Sequence, residues 1–484
     1  MKKLLLLITI LLVSVSLFAV PYASKIRVTP TNFPPGWGSS ISYIINESGG
    51  TVTIDIIDTG SALTVATFSG TATVGANTVV WDGTSNNAGG TQIGEGNYKV
   101  KITVSASKAA GWVEIASNSS TYNTVWPSIY QTIWLGYSPM DVFTPLDPDA
   151  DNFGIIGTTC GTTTLIVGVV NFNADLSCFD GANGSTLTLK ANWPTPAYTD
   201  MWGTDFDPDD AETVWIAGQT EPYDLSKGKW NDEFVTNVTD ASNPGLTAQY
   251  ARSVAMKKSG SDLFAYMCAG NGAIWKCKIT GGRIDQTPGN APVNISGITT
   301  RYSKNLEFDD AGNLYFGTRR LVTPGDGTGG AIQRWDASIV DTAVAGTLTD
   351  VNASWLVQFP TGALNVTGVA IARDGSVYAS VQSDTTAGTV KGVYLVGNVS
   401  SATNIKTLTT GDRIIAFPLA FTPSAYAHCL GVDYAGNVLF ADRSNEQIRC
   451  WGPQGNTSIE VGAPLSQDIE IAKLVSAKNW ALYE

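Results

Sequence analysis

The sequence predicts an all-β protein, and three observations carry that prediction. Charged residues make up 15% of the 484 positions while Gly reaches 50, a composition suited to many tight turns. No long stretch places apolar residues three and four apart, as an amphipathic helix requires. One phrase also recurs: a strand, a tight turn, an aromatic-bearing strand and a small or polar residue. It is clearest at Leu306–Gly317, Gly368–Ala379, Gly431–Asp442 and Phe206–Ala217, and looser around Gly260 (Val254 to Ala265) and Asp149 (Val142 to Ile156). The turns recur roughly every 50–64 residues, at or a little above propeller repeat lengths.

The first nineteen residues read as a signal peptide. Lys2 and Lys3 precede the apolar run Leu4–Val13, and the small residues Ser14, Ser16 and Ala19 follow. Cleavage is expected near Ala19. The run is shorter than the roughly 20 residues of a membrane span, so the mature chain is expected to be secreted, periplasmic or held at the cell surface, with no transmembrane segment. Without Lys2 and Lys3 it carries 27 basic against 42 acidic residues, a net −15. That balance excludes a nucleic-acid partner, because phosphate binding needs a basic face.

Residues 24–107 form a first unit. Ile41, Tyr43 and Ile45 alternate with Ser42 and Ile44, and Val52, Ile54 and Ile56 alternate with Thr53 and Asp55. This is the period of a half-buried strand. Several such strands separated by Gly/Asn/Ser clusters predict a β-sandwich. The residues Asn77-Thr78-Val79-Val80-Trp81-Asp82-Gly83, Gly89-Gly90 and Gly94-Glu95-Gly96-Asn97-Tyr98-Lys99-Val100 resemble the immunoglobulin-like domain of flagellar hook-capping (FlgD-like) proteins. In that family the module is structural. Residues 108–133 read as a connector that lends an outer strand to the next domain, so that both chain ends meet in one blade and leave fewer open sheet edges.

Residues 134–484 hold the repeats. Their spacing gives six or seven units, read as a six-bladed β-propeller with a seven-bladed alternative. The large residue of each second strand (Trp215, Phe264, Tyr315, Tyr378, and Leu439 or Phe440) is expected to pack between blades. The copies beginning at Leu306, Gly368 and Gly431 resemble NHL-type propeller repeats, and Phe206–Ala217 resembles repeats of sialidase-like propellers. These resemblances bear on the fold and not on an activity.

Six Cys in an exported chain suggest disulfides. Cys268–Cys277 across one hairpin is the first choice, followed by Cys160–Cys178; Cys429–Cys450 is equally readable as two thiols.

No catalytic residue is assigned. The chain has one His, His428, beside Cys429, and lacks GxSxG, HExxH and a phosphate-cradling loop. Asp147, Asp149 and Asp151 are dense in oxygen ligands and are the candidate Ca²⁺ site, although Asx turns explain them without metal. Arg319, Arg320, Asp442 and Arg443 leave the aromatic strand of their repeats and are the candidate ligand-binding residues. Trp202, Trp230 and Trp355 would stack on sugars if exposed. By analogy with gluconolactonase-like propellers, Asn305, Glu307 and Asp433 are placed on possible innermost-strand positions, where a divalent metal would sit; turn-bracing or blade-bridging is the alternative. The function expected is non-enzymatic binding or scaffolding, with no cofactor, toward a protein or glycan at the cell surface. A metal-dependent hydrolase or lactonase, and a structural subunit of a surface layer or filament, are the alternatives. Three or more convergent Asp, Glu, Asn or His side chains at the channel mouth would favour the enzyme.

Overall fold

The computed structural model describes residues 20–33, 38–45, 50–73, 75–87, 89–117, 139–144, 146–147, 155–160, 170–171, 201–218, 225–229, 235–237, 251–269, 272–298, 303–318, 330–360, 362–384, 390–397, 405–417, 430–442, 447–462 and 472–474. The leader and the connector after residue 117 lie outside them.

Near the N-terminus, β1 (Ala23–Thr29) and β2 (Ser39–Ile45) join an antiparallel sheet. β3 (Thr51–Asp58) and β4 (Thr64–Gly70) pair in a second sheet, and β5 (Gly75–Trp81) returns to β2. β6 (Gly96–Ser117) pairs with β3 along its first half. The expected alternation holds: Ile41, Tyr43 and Ile45 and Val52, Ile54 and Ile56 are all buried, and they meet in one core. Trp81 is fully buried there, edge-on to Phe33 and Tyr98 with ring centroids 5.6 and 5.8 Å away. Its Nε1 donates to the Thr84 carbonyl at 3.0 Å, so the aromatic body is buried without losing its hydrogen bond.

Among the described residues the repeats form six sheets. Their first strands are β7 (Pro139–Phe143), β8 (Met201–Asp207), β9 (Ala251–Ser259), β10 (Ser303–Phe308), β11 (Ala363–Ile371) and β12 (Leu430–Val432). Each pairs antiparallel with the strand that follows it. β7 neighbours β8, β8 neighbours β9, and so on to β12, which neighbours β7 again. An unbroken cycle of sheets, each stacked on the next, is a propeller.

Closure uses both ends of the chain. β13 (Gln447–Gly462) pairs with Val438–Asp442 of the last sheet and, along its other edge, with β6. Arg449 opposes Ser117 and Gln454 opposes Gly111, so the second half of β6 is the outer strand of that blade. From Asn456 to Gly462, β13 opposes Ser107 to Lys101, inside the sheet that covers the N-terminal core. Two strands thus run from ring to sandwich without a break.

The blades pack as the repeat predicts. Trp215 shares a core with Val254 and Met256 of the next blade, Tyr315 with Val366 and Val369, and Tyr378 with Phe440 and Trp451. The hairpin turns need a left-handed backbone, which Gly supplies: φ is 79°, 81° and 81° at Gly312, Gly375 and Gly436. A short helix, α1 (Ala337–Asp341), follows the third strand of the fourth blade.

The expected Cys268–Cys277 disulfide is not formed. Cys268 opposes Ile274, and Cys277 opposes Ala265, three positions away. Their side chains enter the packing on opposite faces of the sheet, Cys268 toward the fourth blade and Cys277 toward the second. Both are buried thiols, because an odd offset along a pleated pair sends side chains to opposite sides. Cys160 and Cys450 lie on strands whose side chains are not described; Cys178 and Cys429 lie outside the described residues.

Candidate functional site

The turns that follow β7, β8 and β10 lie on one face of the ring, where Asp147, Asp209 and Asp310 border a common opening. On that face a cavity of about 470 Å³ opens at the ring axis, lined by β7, β8, β10, β11, β12 and the turns after them. The repeats explain its shape. In four blades the inner-strand residue opposite the large residue of the second strand borders it: Asp205 opposes Trp215, Glu307 opposes Tyr315, Ala370 opposes Tyr378 and Gly431 opposes Leu439. All four line the cavity. Small residues in two blades leave the space, and acids in two others project into it. Gly431 cannot be larger without movement, since a Cβ there would lie 2.8 Å from the Val142 carbonyl oxygen.

Asp141 of β7 is the third deep acid. Its Oδ2 accepts from the Thr204 N–H at 2.8 Å and the Thr204 hydroxyl at 2.9 Å, and its Oδ1 accepts from the Val142 N–H. Asp205 accepts from the Met256 N–H at 2.6 Å and the Phe206 N–H at 2.7 Å. Each of these carboxyls therefore ties its blade to the next. Asn305 does likewise: it accepts from the Ser253 hydroxyl at 2.9 Å and donates to the Val369 carbonyl at 2.9 Å. Glu307 differs, because no hydrogen bond or ion pair to its carboxylate occurs among the described residues. It borders the cavity and is half-buried.

Burial sets the protonation of this group. It pushes Asp141 up to about 8 against its hydrogen bonds, and Asp205 up to about 7. Glu307 is raised well above the usual carboxylate range, first by burial and then by the charges of Asp205 and Asp141. Loss of hydration disfavours the charged form, and neighbouring negative charge adds to that cost.

The other sequence candidates separate cleanly. Asp433, grouped earlier with Glu307 and Asn305, is not in the cavity. It braces the turn of the last blade, accepting from the Ala435 and Asn437 N–H groups and from Asn437 Nδ2 at 2.7–2.9 Å. Asp147 lines the cavity rim, but Asp149 and Asp151 lie outside the described residues, as do Arg319, Arg320, Arg443 and His428. Asp442 ends a strand, and nothing is described of its side chain. Trp355 is buried against Tyr315 with the Arg334 guanidinium over its ring, so it stacks on no sugar. Trp230 and the side chain of Trp202 are not described. Among the described residues no three His, Cys, Asp or Glu are gathered closely enough to hold one metal ion.

Sequence reading missed Asp141 and Asp205. The signal for Asp205 was present: when Phe206-Asp207 is laid on Phe308-Asp309, Asp205 falls on Glu307.

The sandwich stands beside the opening. The Val20 N–H donates to Asn437 Oδ1, and the Tyr434 hydroxyl donates to the Glu460 carbonyl at 3.0 Å. Arg373, from the turn of the fifth blade, lies over the Tyr434 ring at 4.1 Å and donates to its hydroxyl.

No protein-family model matches the sequence, and no curated protein does. Solved structures resemble its outline. One, a protein of unknown function from Bacteroides thetaiotaomicron, is 9% identical, with TM-score 0.36 over 88% of this chain and 98% of that one. The WD40 β-propeller domain of Doa1 is 8% identical, with TM-score 0.34 over 66% and 93%. The extracellular domain of a putative hybrid two-component system from B. thetaiotaomicron is 10% identical, with TM-score 0.37 over 64% of this chain and 33% of that one. The propeller assignment itself rests on the strand pairing and ring closure above.

Proposed function

We propose that this chain is an exported binding protein whose six-bladed ring takes a ligand in its axial cavity. The observation that carries the reading is Glu307, an acid kept inside the cavity without a protein partner, on a position where two other blades carry Ala370 and Gly431. A purely architectural ring gains nothing from it, since an uncompensated carboxylate costs stability. The apolar run Leu4–Val13 after Lys2 and Lys3 supports export. No helix among the described residues is long and apolar enough to cross a membrane. The sandwich, which resembles the hook-capping module, serves as a docking unit fixed beside the opening, and the NHL-like repeats serve as scaffold. A protein or glycan at the cell surface is the partner proposed for the surrounding loops.

Thermal-shift measurements on the full chain test this with a panel of amines, neutral saccharides and carboxylic acids. At least one class is expected to raise the midpoint of the wild type and to lose that effect in Glu307→Gln. The reading fails if every class leaves the midpoint unmoved, or if the shift survives the substitution.

A further inference from the structure

The lining of the cavity specifies the charge of its occupant, and this step rests on the binding reading above. Three acids, Asp141, Asp205 and Glu307, lie within the strands; four more, Asp147, Asp207, Asp209 and Asp310, stand at strand ends and turns around the opening. No Lys or Arg lines the cavity among the described residues. Some rim charge is already compensated: Lys258 pairs with Asp209 at 2.6 Å, and Asp207 accepts from Trp215 Nε1 at 3.0 Å. Glu307 has no such relief, and its neighbours Asp205 and Asp141 oppose its ionisation. A positive guest relieves that opposition without a proton, and a recess lined by one sign of charge concentrates ions of the other sign.

The arrangement also speaks to the size of the guest. A bare metal ion requires several oxygens within about 2.3–2.6 Å, and no three acidic groups here are disposed to share one ion. The acids instead form two levels. Asp205 and Asp207 are two residues apart on β8, which separates the deep level from the rim by about 7 Å along the strand. A short alkyl chain between two ammonium groups bridges that span, and a cavity of about 470 Å³ falls in the usual range for small-molecule sites. We propose that the axial cavity binds an organic dication, a linear diamine or polyamine, with one ammonium at Glu307 and the other among the rim carboxylates.

Binding is linked to protons. The charged residues on elements around Glu307 are Asp141 on β7, Asp205 and Asp207 on β8, Arg252, Lys257 and Lys258 on β9, Lys304 on β10 and Asp309 and Asp310 after it; β11 and β12 carry none, and Lys257 is paired with Asp341. A dication favours the ionised acids, so its entry expels protons held by the empty site, and affinity rises as pH climbs through the range set by Asp205 and Asp141, about 7 to about 8.

Isothermal titration calorimetry of the full chain with diaminobutane, in buffers of different protonation enthalpy, tests the assignment. Butanediol and calcium chloride are the comparison probes. Diaminobutane is expected to bind with proton release, more tightly at the higher pH, and to lose about tenfold or more in affinity in Glu307→Gln; butanediol is expected not to bind. The exposed rim variant Asp310→Asn, which no fold contact needs, should also weaken binding and serves if the Glu307 variant is poorly folded. The assignment is overturned if diaminobutane fails to bind, if both variants bind it as the wild type does, or if calcium chloride binds at Glu307 and excludes it. A neutral saccharide that binds in a Glu307-dependent way while diaminobutane does not would end the diamine assignment and leave the binding reading standing.

Discussion

Two sets of carboxylates two residues apart do opposite work in this ring. Asp309 ends a first strand and is satisfied at once: it accepts from the Asn313 N–H at 2.9 Å, from Asn313 Nδ2 at 2.8 Å and from the Tyr315 hydroxyl at 3.1 Å. Asp433 repeats that arrangement in the last blade with Ala435 and Asn437 as donors. Glu307, two residues before Asp309, faces the axis and has no donor. The residue type is nearly the same, so the surroundings decide the role. A carboxylate met by several donors locks a turn; one met by none is held for something that arrives.

The largest effect expected from breaking this contrast is at a turn. Asp433→Ala leaves two N–H groups and an amide of a buried turn without an acceptor, a loss on the order of 3–5 kcal/mol, read as a lower midpoint in urea. A change below about 1 kcal/mol would mean that water replaces the carboxylate there, and that turn acids and axial acids are alike. Glu307→Gln is expected to move stability the other way, by about 1–2 kcal/mol at pH 8, because it removes a carboxyl whose ionisation the fold opposes and the unfolded chain allows. The sign follows from linkage. Burial and the charges of Asp205 and Asp141 raise the Glu307 carboxyl above its unfolded value, so the native state retains protons that the unfolded chain has released. Asp205 and Asp141 do the same, up to about 7 and about 8. Stability therefore falls as pH rises from about 4 through the folded-state ranges of Asp205 and Asp141, about 7 to about 8. Unfolding midpoints across that interval should slope less steeply in Glu307→Gln than in the wild type; identical slopes would show that this carboxyl is relieved in the empty protein.

Much of this architecture is legible from local pattern. The alternation of Ile41, Tyr43 and Ile45 and the spacing of the aromatic strands report burial directly, because a strand presents its two faces by turns. Closure was legible in outline, as a connector lending a strand to the last blade, but its extent was not: β13 crosses from ring to sandwich at Gln454–Asn456, and no turn residue in a pairing of such separation announces the crossing. The cysteines mislead because sequence nearness suggests a bond, whereas the pleat sends Cys268 and Cys277 to opposite faces. The site is hardest to read. Asp141, Asp205 and Glu307 come from three blades and are joined only by ring closure. Of the three, only the alignment of Asp205 with Glu307 across repeats is visible locally. Asp433 falls on Asp309 when the repeats are aligned, and Glu307 falls on Gly431, so the turn acid is told from the axial one only by a full alignment of the blades.

The smallest effect sharpens the comparison at the rim. Lys258 reaches Asp209 at 2.6 Å, with both side chains well exposed, 42% and 54%. Water already solvates both ions, and holding two long side chains together costs entropy, so such a pair contributes about 0–1 kcal/mol. Lys258→Met keeps the aliphatic stem and removes the charge. Its unfolding midpoint in urea should stay within about 0.5 kcal/mol of the wild type, while the opening becomes more negative by one charge and diaminobutane binding tightens, most visibly at low ionic strength, where exposed charges are least screened. If instead stability drops by about 2 kcal/mol or more, the rim acids belong with Asp433 as architecture, and only the deep acids keep the contrast.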